Sequence, residues 1–120
     1  MYTVVYYRTE RGESPVEEFI DALPEKYQRK VAGFLEMLAA EGPRLRRPYA
    51  DHVRGSLREL RIQFGRNEYR FFHFFVTGER VVLVHAFAKK TQKLPEREIE
   101  TAEARMKDFL RRLAEGGLVP

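Results

Sequence analysis

The sequence predicts an α+β fold with the element order β-α-α-β-β-β-α, in which helices pack on one face of a small, mostly antiparallel sheet. The stretch 57–90 supports this fold class first, because it contains three apolar runs separated by two short turn-forming segments. Helical patterns before and after this stretch are the second observation. The third is size, since 120 residues with 43% hydrophobic content are typical of one domain, here 1–120, with its own core.

A strand and two helices are expected before the central stretch. Residues 2–8 are rich in β-branched and aromatic side chains, which favours a strand. The pattern Ser-Pro-Val-Glu that begins at Ser14 is typical of a helix start and predicts a short helix over residues 15–22. A second helix is predicted over residues 24–40, because apolar residues recur there every three or four positions.

The first turn of the central stretch places two arginines side by side. Gly65-Arg66 is predicted as a two-residue turn, because glycine tolerates the positive φ that such hairpins need. Arg61 then lies opposite Arg70, and both side chains point to the same face of the sheet. Two cations placed in this way usually attract an anion. Pairing of these arginines with Glu59 or Glu68 is the structural alternative.

The second turn extends this register to the last strand. If residues 77–79 form a three-residue loop, Arg70 lies near Ala86, and Lys90 joins the face of the arginines. That cationic face consists of Arg61, Gln63, Arg70, Ala86, Ala88 and Lys90. The opposite, apolar face consists of Leu60, Ile62, Phe64, Phe71, His73, Phe75, Leu83, His85 and Phe87. The prediction is therefore a core under the helices and an open floor of positive charge on the other side.

Positive charge is concentrated in the middle of the chain. The net charge is +4, but residues 44–70 alone contain eight basic and three acidic residues. This stretch begins with residues 44–56, predicted to be an irregular segment in which arginines surround a tyrosine. Such a surface favours a polyanion, above all nucleic acid, and a solvated charged loop is the alternative. The candidate RNA-binding residues are Arg44, Arg46, Arg47, Tyr49, His52, Arg54, Lys89 and Lys93.

The rest of the chain predicts a final helix and excludes several kinds of site. The helix is expected over residues 95–113, with residues 118–120 frayed after it. The chain has no cysteine and its histidines have no metal-ligand spacing, so no metal or cofactor is expected. His73 and His85 are expected to be packed on the apolar face. No apolar run reaches the length of a membrane span and no signal peptide is expected, which favours the cytoplasm.

Several motifs together resemble the RelE/HigB superfamily of bacterial toxins, and most closely its HigB-like, phage-derived branch. They are Arg-Pro-Tyr at residues 47–49, Glu-Leu-Arg at 59–61, Tyr-Arg at 69–70 and the lysine-rich run at 87–99. Their order and spacing extend the resemblance over nearly the whole chain. The resemblance implies a RelE-like toxin fold.

The resemblance also implies an activity and a set of partners. Such a chain is a type II toxin that cleaves mRNA in the ribosomal A site without a metal, and a cognate antitoxin, usually a helix-turn-helix protein, neutralises it. Arg61, Arg70 and Lys90 match the catalytic positions, where cations would stabilise the charge that develops on the phosphate. Toxins of the RelE type proper carry a tyrosine after the last strand. Residues 91–99 contain none, so the general base and acid are not assigned.

Two other functions stay open on the sequence alone. A related toxin of the ParE type would inhibit DNA gyrase by binding protein instead of cutting RNA. A phage-derived nucleic-acid-binding module would use the same basic surface without catalysis. Mapping of mRNA ends after induction separates the nuclease from both alternatives.

Overall fold

A computed structural model describes residues 1–117 of the chain. These residues form five strands, three α-helices and one 3-10 turn. The strands are β1 (Thr3–Tyr6), β2 (Ala50–Arg54), β3 (Leu57–Phe64), β4 (Asn67–Val76) and β5 (Arg80–Ala88). The helices are α1 (Pro15–Asp21), α2 (Glu25–Glu41) and α3 (Glu96–Ala114), and the 3-10 turn is Gly42–Arg44. The predicted fraying at 118–120 lies outside the described residues.

The strands form one mixed sheet in the order β1-β5-β4-β3-β2. β1 runs parallel to β5, and the other neighbours are antiparallel. The predicted α+β class is therefore confirmed, with each predicted helix within two residues of its observed bounds. No helix within residues 1–117 combines the length and the apolar content that crossing a membrane requires.

Both faces of the sheet are covered, so the prediction of helices on one face was wrong. Helices α1 and α2 pack on one face, where the buried side chains include Leu60, Phe71 and Leu83. Helix α3 packs on the other face against Phe72 and Val84, among others. The reason is the composition of β4 and β5, whose consecutive apolar residues present hydrophobic side chains to both sides, as in a strand buried on both faces.

The segment 44–56, predicted to be irregular, contains strand β2. Ala50 pairs with Leu60 and His52 with Arg58, so β2 forms the edge of the sheet beside β3. A two-residue connection that contains Gly55, with φ of 56°, joins the two strands. An edge strand needs only one apolar side, and charged residues are common there, which explains why its sequence lacks a strand signal.

A β-bulge in β5 changes the register that the turns predict. The turns themselves are confirmed, since β3 and β4 are joined by two residues and β4 and β5 by three. However, His73 pairs with Leu83 and Phe72 with His85, so Val84 is an extra residue in β5. Beyond this bulge every residue of β5 is shifted by one position relative to β4.

The bulge exchanges the two faces at the end of β5. Arg70 lies opposite Phe87 instead of Ala86. His85 and Phe87 therefore share the face of Arg70 and pack toward α3, whereas the prediction put them on the opposite face. Ala86 packs against the core under α1 and α2 instead of lying in the cationic face. The expected floor of small residues under the arginines was thus wrong.

Candidate functional site

A polar groove lies on the α3 side of the sheet, over β2, β3 and the adjoining end of β4. Its volume is about 290 Å³. Two strands and the connection after β5 contribute most of its lining, which consists of Arg47, Asp51, His52, Glu59, Arg61, Arg70, Lys89, Gln92 and Leu94. We call this the central groove. It brings together residues of the basic segment 44–56, of the paired strands β3 and β4, and of the lysine-rich run after β5.

Arg61 is the open cation of the central groove. It pairs with Arg70 across β3 and β4, as the two-residue turn predicts. Its side chain is half-buried, and within residues 1–117 it forms no ion pair with a carboxylate. A guanidinium in this state can take a phosphate as its partner.

Arg70, in contrast, is a buried and paired cation. Its exposed fraction is 3%, and its guanidinium lies between two carboxylates. Nε is 2.9 Å from Oε1 of Glu59, and Nη2 donates to Oε1 of Glu68 at 3.1 Å. The sequence left open that the two arginines pair with Glu59 or Glu68. Arg70 does so, with both acids at once, and Arg61 pairs with neither.

Glu59 is the buried acid of the central groove. Its exposed fraction is 6%, and burial raises the pKa of its carboxyl, while the charges of Arg70 and Arg61 oppose the rise. The close contact with Arg70 is an ion pair without hydrogen-bond alignment, because neither Nε nor Oε1 has a hydrogen-bond partner among the described residues. A carboxyl with a raised pKa beside the available cation Arg61 is suited to accept a proton.

Asp51 differs from Glu59 although it lines the same groove. Its Oδ2 accepts a hydrogen bond from Nε of Arg47 at 2.8 Å, and this bond lowers the pKa of Asp51. Its Oδ1 accepts a bond from the backbone N–H of His52 at 2.9 Å. Asp51 therefore stays ionised and orders its neighbours, which leaves Glu59 as the better proton acceptor of the two.

Lys89, not Lys90, is the lysine of the central groove. The bulge in β5 turns Lys89 toward Arg61 and Arg70, and Lys90 lines a separate cleft. Nζ of Lys89 donates to the carbonyl oxygens of Thr91 and Gln92, at 2.6 and 3.1 Å. The prediction that Lys90 shares the face of Arg61 and Arg70 was therefore wrong by one residue.

His52 lines the central groove in a defined orientation. Its Nε2 lies 2.8 Å from the carbonyl oxygen of Gly55, which can only accept, so Nε2 carries the proton. In the neutral ring Nδ1 is then free to accept a proton. His52 and Arg47 are the two residues of the predicted RNA-binding segment that the fold brings to the groove.

The other RNA-binding candidates lie outside the central groove. Tyr49 is 44% exposed and packs edge-on against Phe34, with ring centroids 6.3 Å apart. Arg54 is tied to α3, because it donates to Glu96 at 2.8 Å and to Glu103 at 3.3 Å. The remaining three are exposed on the surface, namely Arg44, Arg46 and Lys93.

The sequence-based prediction missed Glu59 as a functional residue. It treated this residue only as a pairing partner of the arginines. The signal was available, because Glu59 is two positions before Arg61 in the same strand and therefore shares its face. Its burial depends on Phe72, which lies opposite it in β4 and packs toward α3.

The fold and the groove define a small, basic α+β protein with a cationic groove on one face of its sheet. The chain belongs to the phage-derived Gp49-like family, since the family described as "Phage derived protein Gp49-like (DUF891)" matches residues 18–107. This family is one of RelE/HigB-like type II toxins. No curated protein is significantly similar to the chain.

Proposed function

We propose that this chain is a HigB-like type II toxin that cleaves mRNA in the ribosomal A site. The observation that carries the proposal is the central groove itself, in which an unpaired Arg61 lies beside a buried Glu59 in a member of a toxin family. RNA cleavage by attack of a 2′-hydroxyl needs a base for that hydroxyl, a cation for the phosphate oxygens and an acid for the leaving oxygen.

Arg61 and Lys89 supply the positive charge. As the 2′-oxygen bonds to phosphorus, negative charge grows on the two non-bridging oxygens. Arg61 would donate to one of these oxygens, and Lys89, which lines the same groove, would add a second charge. Fixed cations in a partly dehydrated groove stabilise such charge more strongly than water does.

Glu59 and His52 supply proton transfer. Glu59 takes the proton of the attacking 2′-hydroxyl, because its raised pKa makes it a better base than Asp51. The protonated ring of His52 gives a proton to the leaving 5′-oxygen from Nδ1, while Nε2 stays bonded to Gly55. The P–O5′ bond breaks, and the products are a 2′,3′-cyclic phosphate and a 5′-hydroxyl.

Arg70 has a positioning role in this scheme and not a direct catalytic one. It is buried, and both its neighbours are carboxylates, so its charge is already compensated. It holds the Glu59 carboxyl in the groove and limits the rise of its pKa. The role of Lys90 as a catalytic residue passes to Lys89.

The partners follow from the same surface. The ribosome presents mRNA and ribosomal RNA, and the exposed Arg44, Arg46 and Lys93 would contact their phosphates. A cognate antitoxin, which we expect to be a helix-turn-helix protein, would cover the central groove or block entry to the ribosome. A toxin with these partners acts in the cytoplasm.

Induction of the chain without a partner tests the proposal. We expect amino-acid incorporation to stop within minutes and primer extension to map new 5′ ends inside translated codons. Arg61→Ala should lower the single-turnover cleavage rate by about 10²–10³, because one charge-stabilising contact is lost. Arg97→Ala is the matched control, since Arg97 is exposed on α3.

Two outcomes would contradict the proposal. If translation continues while DNA synthesis stops, the chain acts like a gyrase inhibitor. If mRNA stays intact while translation stops, the groove binds RNA without cleaving it.

A further inference from the structure

A second cleft opens beside the central groove at the end of the sheet. Its volume is about 620 Å³. The β3–β4 turn and the connection after β5 form its walls, and its lining consists of Arg66, Asn67, Glu68, Ala88, Lys89, Lys90, Thr91 and Gln92. We call this the terminal cleft. Lys89 and Gln92 line both the terminal cleft and the central groove, so the two spaces adjoin.

The terminal cleft offers the chemistry that reads the edge of a nucleobase. Asn67 and Gln92 each carry an amide with donors and an acceptor, and the Glu68 carboxylate accepts hydrogen bonds. The exposed cations Arg66 and Lys90 stand beside these groups, where a phosphate could meet them. Among the eight lining residues, all of them in the described part of the chain, none is aromatic. Recognition there would use base edges and not stacking.

One wall of the terminal cleft is held in place by its own hydrogen bonds. The side chain of Lys89 donates to the carbonyl oxygens of Thr91 and Gln92, and the Thr91 hydroxyl donates to the carbonyl oxygen of Lys93 at 2.6 Å. The opposite wall is anchored too, because the N–H of Lys89 donates to the backbone oxygen of Glu68 at 2.8 Å. The cleft is therefore organised before any ligand enters.

The carboxylate of Glu68 is held in place through one of its oxygens, and the other oxygen is available. Its side chain is 40% exposed, and its Oε1 accepts a bond from Nη2 of Arg70. Within residues 1–117, Oε2 has no hydrogen-bond or ion-pair partner, and it can accept a bond from a ligand. Adenine, cytosine and guanine present an amino group to such an acceptor. Uracil presents a single N–H between two carbonyl oxygens, which a carboxylate repels.

We propose that the terminal cleft binds the base of a nucleotide that flanks the reactive phosphate, and that Glu68 makes it discriminate against uracil. The position next to the reactive phosphate rests on the proposed function. The presence of a base-selective nucleotide site does not depend on cleavage.

Binding of the four nucleoside 3′-monophosphates to the isolated chain tests the site directly. We expect backbone amide shifts at Asn67, Glu68, Thr91 and Gln92, with uridine monophosphate binding at least about tenfold more weakly than the other three. Glu68→Gln should reduce this difference to about twofold or less, because an amide both donates and accepts. Glu100→Gln, on the exposed side of α3, should keep it.

Cleavage of an RNA library with all bases at the flanking positions tests the placement. Wild type should disfavour uracil at one flanking position, and Glu68→Gln should lose that preference. Equal binding of all four monophosphates, or shifts confined to residues outside the cleft, would overturn the proposal. Selective binding without any RNA cleavage would keep the site and reject the nuclease function. Cleavage with unchanged base preference in Glu68→Gln would reject the role of Glu68.

Discussion

Arg61 and Arg70 lie directly opposite each other on neighbouring strands, yet they are in different states. Like charges in this position repel. The fold resolves the repulsion by surrounding one of them with acids, since Glu59 and Glu68 flank Arg70 and leave Arg61 free. The pair thus combines a compensated cation with an available one.

The Glu59–Arg70 pair is expected to respond strongly to removal of one partner. Arg70→Ala leaves a buried carboxylate without its cation, and we expect a loss of about 3–5 kcal/mol in the free energy of unfolding. The double variant Glu59→Leu, Arg70→Met should recover most of that stability, because it removes both charges. Urea unfolding at neutral pH measures both values. Equal destabilisation by the single and double variants would show that the pair is not the cause.

We expect the buried His73 to make the protein less stable at acidic pH. It is fully buried, and burial lowers its pKa to about 4, helped by the charge of Arg58 and opposed by the Phe71 carbonyl. The unfolded chain takes up this proton near pH 6.5, so between pH 6.5 and 4 the unfolded state binds more protons than the folded state. The free energy of unfolding therefore falls as the pH is lowered through this range, by about 3 kcal/mol in total.

The measurement is the free energy of unfolding at several pH values. Burial also lowers the pKa of His85, so this residue adds to the slope with the same sign. His73→Gln should therefore reduce the slope without abolishing it. If the free energy of unfolding of His73→Gln depends on pH as steeply as that of the wild type, groups other than His73 cause the loss of stability.

Single residues were predictable where a short turn fixed them. The glycine of the β3–β4 turn was enough to place Arg61 opposite Arg70. Burial was not predictable, because it depends on α3 and on Phe72 in the neighbouring strand. For that reason the sequence indicated two open arginines, whereas one of them is enclosed.

At the scale of elements, the bulge in β5 decides which lysine enters the central groove. The sequence around Val84 contains no glycine or proline that would mark the irregularity. A register that is correct near the loop is therefore wrong by one residue at the far end of the strand. This is the physical reason why Lys90 was predicted and Lys89 is found.

Kinetic measurements should distinguish the roles of Lys89 and Lys90. Lys89→Ala is expected to lower the single-turnover cleavage rate by about 10², because Lys89 lines the central groove, where the proposed function puts the reactive phosphate. Lys90→Ala should affect the rate far less and act mainly on substrate affinity. Lys107→Ala, on the exposed surface of α3, is the matched control. A larger rate loss in Lys90→Ala than in Lys89→Ala would restore the unbulged register.

The pattern of apolar residues along a strand indicates whether the strand is buried on one face or on both. Consecutive apolar residues in β4 and β5 are a sign of burial on both faces, and in retrospect they predict the two helical layers. Strand β2 had no such sign. Its charged residues and single buried position, Ala50, are compatible with either a loop or an edge strand.

At the scale of the whole molecule, the basic segment before β3 lies at one edge of the sheet. β2 forms one edge and β1 the other. RNA or ribosome binding through the β2 edge should weaken as salt rises.

Arg46→Ala is expected to lower the slope of log affinity against log salt by about one, since one phosphate contact is lost. Arg46 is exposed, and its backbone carbonyl accepts bonds from Tyr49 and Ala50, so the side chain can be removed without losing those bonds. Arg11→Ala removes an exposed charge near the opposite edge and should leave the slope unchanged. Equal slopes for both variants would place the polyanion elsewhere.

Arg70 connects the central groove with the terminal cleft, because each of the two acids that it pairs with lines one of them. Glu59 lines the central groove and Glu68 lines the terminal cleft, and the guanidinium of Arg70 forms an ion pair with each of them. A ligand that draws Glu68 away leaves Arg70 to Glu59 alone, which lowers the proton affinity of Glu59. Thermodynamic linkage is reciprocal, so protonation of Glu59 must change the affinity of the terminal cleft by the same factor. If the two proposals hold, binding of a base in the terminal cleft and the protonation state of Glu59 are thermodynamically coupled.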